Sequence, residues 1–255
     1  SDEDGSMSQP RAATAATSAI RSARDLLLAH ANDYTRARAV FHWPELRTFN
    51  FALEWFDVVA GETPNRPAVQ IVSADLTSRT WTYGELARRS DQVANWLHGL
   101  GIRRGDHVIV MLGNTIDLWE TMLGLTKLGA VAIPTSTLLS PADLAYRAEK
   151  GEARGIVTLG SLADRVAGLP AGIVRIAVPD APGAPAPDGW HDFADSHGAS
   201  DDFEPDGPTP AGDTSLLYFT SGTTSRPKLV QHTHVSYPVG HLSTMWWLGV
   251  REGDV

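Results

Sequence analysis

Val108-Ile109-Val110-Met111-Leu112 is an unbroken apolar run of strand length. A strand with one wet face alternates apolar and polar residues, so a run with no polar member has to be covered on both faces. Gly113-Asn114 interrupts it, a helix-like stretch follows from Ile116 to Leu128, and Val131 to Ile133 is the next short strand. Strand, helix and strand at this spacing describe a parallel pair joined by a crossover helix. The same grammar extends to either side. Thr82 and Glu85 form a capping box, after which Leu86, Val93, Trp96, Leu97 and Leu100 recur at helical spacing until Gly99 and Gly101 end the pattern. Ser140-Pro141 supplies an N-cap and a first-turn proline for a helix ending near Lys150-Gly151, and Ile156–Leu159 and Ile173–Val178 read as further strands. The expected fold class is α/β, with parallel sheets covered by helices and ligands held outside the carboxyl ends of the strands.

The chain has 255 residues, 42% of them hydrophobic and 8 of them Trp, enough for one large domain or two small ones around a buried core. Its 21 basic and 30 acidic residues leave a net charge of −9, which disfavours general attraction to nucleic acid or an anionic membrane; an anionic ligand needs a local site. The absence of cysteine excludes disulfides, thiolate metal sites and a cysteine nucleophile, and a cytoplasmic location is expected. No apolar run approaches the roughly 20 residues of a membrane span.

Along the chain, 1–6 precede Met7 and read as a cloning scar, and 7–48 as an N-terminal helical segment. Arg21 and Arg24 interrupt the apolar pattern there, which makes a poor signal peptide. Residues 49–178 are expected to form a first α/β subdomain. The stretch 179–213, with seven Pro and many Asp, reads as a solvated connection, and 214–255 as a phosphate loop and the start of a second subdomain.

Residues 218–228, Tyr-Phe-Thr-Ser-Gly-Thr-Thr-Ser-Arg-Pro-Lys, directly follow the apolar Leu216-Leu217. Hydroxyls and free backbone N–H groups donate to phosphate oxygens, Gly222 permits close backbone approach, and Arg226 and Lys228 add positive charge. A solvated turn has similar Ser/Thr/Gly content but no need of paired cations. Nor does a turn need Pro227, which stiffens the presentation of Lys228. A Walker A loop does not fit, because Pro227 stands at its second glycine and Leu229 at its hydroxyl. The candidate binding residues are Thr220, Ser221, Gly222, Thr223, Thr224, Ser225, Arg226 and Lys228. His232, His234 and His241 invite a metal reading, but no carboxylate or cysteine lies near in sequence to complete a site, so packing and hydrogen bonding are preferred and no metal ligand is assigned. Trp246 and Trp247 are expected in the core or at a subdomain contact.

Tyr218–Lys228 resembles the phosphate-loop signature of the adenylate-forming superfamily of acyl-CoA synthetases, aryl-CoA ligases, peptide-synthetase adenylation domains and luciferases. Trp81-Thr82-Tyr83-Gly84-Glu85-Leu86 and Leu128-Gly129-Ala130-Val131-Ala132-Ile133-Pro134 resemble two further family segments, in order, so that the likeness spans about 50–255. Phe49-Asn50-Phe51-Ala52 and Trp55-Phe56-Asp57 look most like the medium-chain and aryl-CoA branch. The family usually carries glycine where this chain has Ser225: either serine bears a steric cost there at a positive φ, or the loop takes an allowed conformation with Ser225 Oγ as one more phosphate donor.

The resemblance implies an AMP-forming acid–thiol ligase. A carboxylate attacks the α-phosphorus of ATP to give acyl-AMP and pyrophosphate, and CoA then displaces AMP. ATP, CoA and Mg²⁺ bridging the phosphates are the implied cofactors and co-substrates, and a small carboxylic acid, medium-chain or aromatic, the implied substrate; a homodimer is compatible with it. The family's adenine-binding, Mg²⁺-ligating and ribose-binding residues, and the catalytic lysine of its lid, have no counterpart before Val255. Hence no catalytic residue is assigned, and the chain is expected to be an N-terminal fragment, inactive alone. A carrier-protein-loading adenylation domain and a non-catalytic nucleotide-binding module are the alternatives.

Overall fold

The computed structural model describes residues 11–220 and 226–254. The expected scar at 1–6 and the expected phosphate donors Ser221, Gly222, Thr223, Thr224 and Ser225 lie outside the described residues.

Helix α1, Ala15–Ala29, starts at Thr14, whose hydroxyl accepts the Thr17 amide while the Thr17 side chain accepts the Thr14 amide. Ala16, Ile20, Ala23 and Leu27 form its buried stripe. After α2, Tyr34–Val40, a π-helical turn at Ala52–Phe56 runs into α3, Asp57–Glu62. Strands β1, Pro67–Val72, and β2, Ser78–Thr82, pair antiparallel as a separate hairpin that the apolar pattern does not announce, because neither strand is deeply buried. The Thr82 capping box then opens α4, Tyr83–Gly99, as expected from the sequence.

The remaining elements are β3, His107–Met111; α5, Ile116–Leu128; β4, Val131–Pro134; α6, Pro141–Lys150; β5, Ala153–Leu159; α7, Ala163–Val166; β6, Val174–Val178; β7, His191–Asp192; β8, Thr214–Thr220; β9, Lys228–Thr233; and α8, Ser236–Leu248. Among the described residues seven strands form one sheet in the order β7-β6-β5-β3-β4-β8-β9. Every neighbouring pair is parallel except β8 and β9.

The unbroken apolar run of β3 is explained by its two coverings. Val108 and Val110 turn to a cluster with Val93, Leu97, Leu125 and Leu128 of α4 and α5, whereas Ile109 and Met111 turn to Leu144 and Ala148 of α6 and Val166 of α7. Each of the Val, Leu, Ile and Met side chains among these contributes about 1.5–3 kcal/mol when fully buried rather than exposed. Helices α4 and α5 touch at Gly124, where a Cβ would come within 2.7 Å of Val93 Cγ1.

Three expectations differ from the structure. Residues 179–213 are not merely a solvated connection. Phe193 and Phe203 enter the α4/α5 core, β7 extends the sheet, and the Gln92 and Asn95 side-chain amides of α4 donate to the carbonyls of His197, Ala199, Ser200 and Asp202. Proline and aspartate content reports the exposed majority of such a segment and hides its few anchors. Of the tryptophans, Trp246 packs in a cluster with α1, but Trp247 is 77% exposed. Strands β8 and β9, placed by the sequence at the start of a second unit, join the same sheet as β3–β7.

Candidate functional site

β8 runs parallel to β4, with Ala132 beside Leu216, so its far end emerges at the carboxyl edge of the sheet. There Thr220, the last residue of β8, pairs with Lys228, the first of β9, and both are exposed. The antiparallel pairing Tyr218↔Val230, Phe219↔Leu229 and Thr220↔Lys228 clamps the two ends of the expected phosphate loop together. A hydroxyl and an ammonium group thus stand opposite each other at its mouth.

Side-chain alternation assigns the faces. Leu217, Phe219 and Leu229 pack with the α6 cluster, while Leu216 and Tyr218 pack with the α4/α5 cluster, so Thr220 and Lys228 belong to the α4/α5 side. Arg226 goes the other way. Its guanidinium lies over the Tyr146 ring of α6, 5.1 Å from the centroid, and the Tyr146 hydroxyl donates to the Pro227 carbonyl at 3.4 Å. Next to it, Arg147 lies 4.7 Å over the Phe219 ring, and its half-buried position lowers its pKa, an effect that Asp143 opposes. The two loop cations that sequence groups together therefore leave the loop toward different faces of the sheet. Tyr146 and Arg147 were not legible as loop neighbours; the available signal is an aromatic–cation pair set off the Leu144/Ala148 stripe of a short helix.

On the other face, Tyr218 and Tyr237 bring their hydroxyls to 3.3 Å, and burial together with that contact pushes the Tyr218 phenol up. Thr233 is not the N-cap of α8 as expected: that position is Val235, which makes no side-chain cap hydrogen bond, and Thr233 instead forms a reciprocal pair just ahead of the helix, its Oγ1 accepting the Ser236 amide and Ser236 Oγ accepting the Thr233 amide. The three histidines are dispersed in role. His232 and His241 pack edge-on to Tyr237, and burial lowers the pKa of His241. His234 is almost fully buried, which pushes its pKa down to about 4 against the opposing pull of Asp213. Among the described residues no group of three His, Asp or Glu is arranged to hold a metal ion.

Away from the loop, the α4/α5 side contains a buried charge cluster that sequence reading missed. Lys127 of α5 has no exposed surface; its Nζ lies 2.8 Å from Asp57 and 2.8 Å from Asp91, and donates to the Ala87 carbonyl at 3.0 Å. Arg11 approaches Asp57 at 3.3 Å and also donates to the Phe203 carbonyl. Burial raises both carboxyls, Asp91 to about 6, against the downward pull of Lys127. A second buried network joins Arg89 to Glu120 at 2.9 Å, to Gln92 at 2.7 Å and to Ser196 at 3.0 Å. A cavity of about 480 Å³ opens beside the first cluster, lined by Asn65, Glu85, Arg88 and Asp201. It lies at α3 and α4 rather than at the loop, and its deepest charges are already paired, so the cluster reads as a structural tie between α3, α4 and α5.

The sequence model described as AMP-binding enzyme matches residues 56–255. The chain belongs to the AMP-binding enzyme family. The matched range contains the β8–β9 hairpin and the parallel sheet that carries it. Among curated relatives, this AMP-binding enzyme is 33% identical over 218 residues to the mouse (Mus musculus) mitochondrial acyl-coenzyme A synthetase ACSM5, a match covering 81% of the chain and 37% of the relative. It is 28% identical over 213 residues to human (Homo sapiens) mitochondrial ACSM2B, again covering 81% and 37%. Among solved structures, a Brucella canis acyl-CoA synthetase superposes with a TM-score of 0.73 at 28% identity, covering 91% of this chain and 42% of that one. The anthranilate CoA ligase AuaEII, solved in complex with anthranoyl-AMP, gives 0.68 at 25%, covering 82% and 40%. The chain thus spans well under half the length of these relatives. The adenylate-forming resemblance and the α/β expectation both hold. No helix among the described residues is long and apolar enough to cross a membrane.

Proposed function

We propose that this chain is the phosphate-holding part of an ATP-dependent, AMP-forming acid–CoA ligase. The whole enzyme joins a carboxylic acid to AMP with release of pyrophosphate, then transfers the acyl group to CoA. The observation that carries the reading is the loop mouth, where Thr220 and Lys228 face each other at the carboxyl edge of a parallel sheet, within the range matched by the family. Phosphoryl chemistry of this kind asks the protein chiefly for position and charge neutralisation. An exposed hydroxyl donor and an exposed ammonium suit a triphosphate tail, and Ser221, Gly222, Thr223, Thr224 and Ser225 are proposed to complete the donor set between them.

Mg²⁺ is proposed from the ligand's chemistry, since a hard cation bridges phosphate oxygens. A medium-chain or aromatic acid is proposed as substrate; the relatives' names support an acyl group in general and that of the anthranilate ligase supports the aromatic option. Because the match covers 37% of the first relatives' length, the 255 residues alone are proposed to complete neither half-reaction. Titration calorimetry of the purified chain with pyrophosphate and with MgATP tests the loop. Lys228→Ala should weaken binding of both while shifting stability by less than about 0.5 kcal/mol, as exposed substitutions do. Equal affinity in wild type and Lys228→Ala removes the loop from the reading, and pyrophosphate release above background by the chain overturns its inactivity.

A further inference from the structure

We infer that Arg226 is a positioning residue, a strut that fixes the exit of the phosphate loop on α6 through Tyr146, and not a phosphate ligand. The inference refines the loop reading above, which assigned Arg226 to the ligand. Three observations carry it. The Arg226 guanidinium is over the Tyr146 ring, 5.1 Å from the centroid, a distance within cation–π range. The Tyr146 hydroxyl reaches the carbonyl of the next residue, Pro227, so one side chain grips two consecutive residues of the loop exit. Lys228, two residues on, is already locked in register with Thr220 and belongs to the opposite face of the sheet.

Physical arguments point the same way. Tyr146 is itself held, edge-on against Phe219 at 6.2 Å between centroids, and Phe219 belongs to β8, the strand entering the loop. The Tyr146 ring therefore ties the residue before the loop's first hydroxyl to the two residues before its last cation. Pro227 cannot donate a backbone hydrogen bond and has a fixed φ, so the exit has no ladder of its own until Lys228. A side-chain strut supplies what the backbone lacks there. A guanidinium stacked on an aromatic ring presents its face to the ring and costs little dehydration, which makes arginine the suitable cation for this position and lysine a poor substitute. The functional consequence is a division of labour: Lys228 provides the charge at the loop mouth, and Arg226 provides its stiffness.

The test is hydrogen–deuterium exchange of the segment 226–229 in the 255-residue chain, combined with pyrophosphate titration. Tyr146→Leu and Arg226→Leu should each speed exchange of that segment about two- to fivefold, the size of an exposed cation–π pair, with peptides of β3–β6 unchanged. The double variant should exchange no faster than Tyr146→Leu alone, because the ring contact that Arg226→Leu breaks is already lost there. Tyr146→Phe, which keeps the ring under Arg226 and loses only the hydroxyl bond to the Pro227 carbonyl, should fall between wild type and Tyr146→Leu and so separates the strut from general damage to α6. Unchanged exchange in the single variants, or additive effects in the double one, overturns the inference. So does a fall in pyrophosphate affinity for Arg226→Leu well beyond that for Tyr146→Leu, since that marks direct phosphate contact. Should the wild type fail to bind pyrophosphate, the loop reading falls while the exchange cycle still decides the strut.

Discussion

Lys127→Met is the substitution whose cost can be worked furthest from the structure. The ammonium has no exposed surface and sits 2.8 Å from each of two carboxylates that are themselves more than nine-tenths buried. Removing one partner of a buried pair leaves an uncompensated charge, which costs about 3–5 kcal/mol. Here two carboxylates lose their shared cation; among the described residues Asp57 keeps a salt bridge to Arg11, while Asp91 keeps only the more distant pull of that arginine. The upper part of that range is therefore expected at pH 7.5, a loss of about one third or more of the stability of an ordinary domain. In urea it should lower the unfolding midpoint by about 1–2 M.

The pH dependence has a definite sign. The folded-state pKa of Asp91 stands at about 6, above its ordinary 3.8, so its contribution to stability is complete below the ordinary value and is lost as pH rises through about 6. Loss of Lys127 removes the attraction that opposes burial at both Asp57 and Asp91, moving both pKa values further up. The variant's native state then binds more protons than wild type between pH 5.5 and 7.5, and its deficit should shrink as pH falls across that window. Urea unfolding of both proteins at the two pH values measures this. A deficit below about 1 kcal/mol at pH 7.5, against the 3–5 kcal/mol expected for a broken buried pair, or one that grows on acidification, refutes the account.

Gly124→Ala sets helix propensity, worth up to about 1 kcal/mol, against a Cβ forced to 2.7 Å from the fully buried Val93; overpacking should win by about 1–2 kcal/mol, and a raised Tm would refute close packing of α4 on α5 as the reason for glycine there. Thr82→Ala should cost about 1 kcal/mol through loss of the α4 cap, with Thr82→Ser restoring most of it in thermal unfolding. His234 has a folded-state pKa lowered to about 4, so its contribution is present above its ordinary 6.5 and lost as pH falls through about 4. His234→Phe should accordingly flatten the acid loss of stability over that interval, and parallel pH profiles of the two proteins would count against a neutral, buried His234.

The α/β class, the caps of α4 and α6 and the two-faced burial of β3 follow from local rules, since a capping box, a first-turn proline and an unbroken apolar run each act within a few residues. The position of the loop at the end of β8 was legible for the same reason. Tertiary structure alone decided what distance in the chain conceals. It placed Lys127 between carboxylates from α3 and α4, 70 and 36 residues away by numbering (127 − 57 and 127 − 91), and drew Phe193 and Phe203 out of a proline-rich stretch into the core. It also sent Arg226 and Lys228, neighbours but for one proline, toward opposite faces of the sheet. Charge and hydroxyl content can be read along a chain, but the direction in which a side chain leaves a strand depends on register, and register is set by the partner strand.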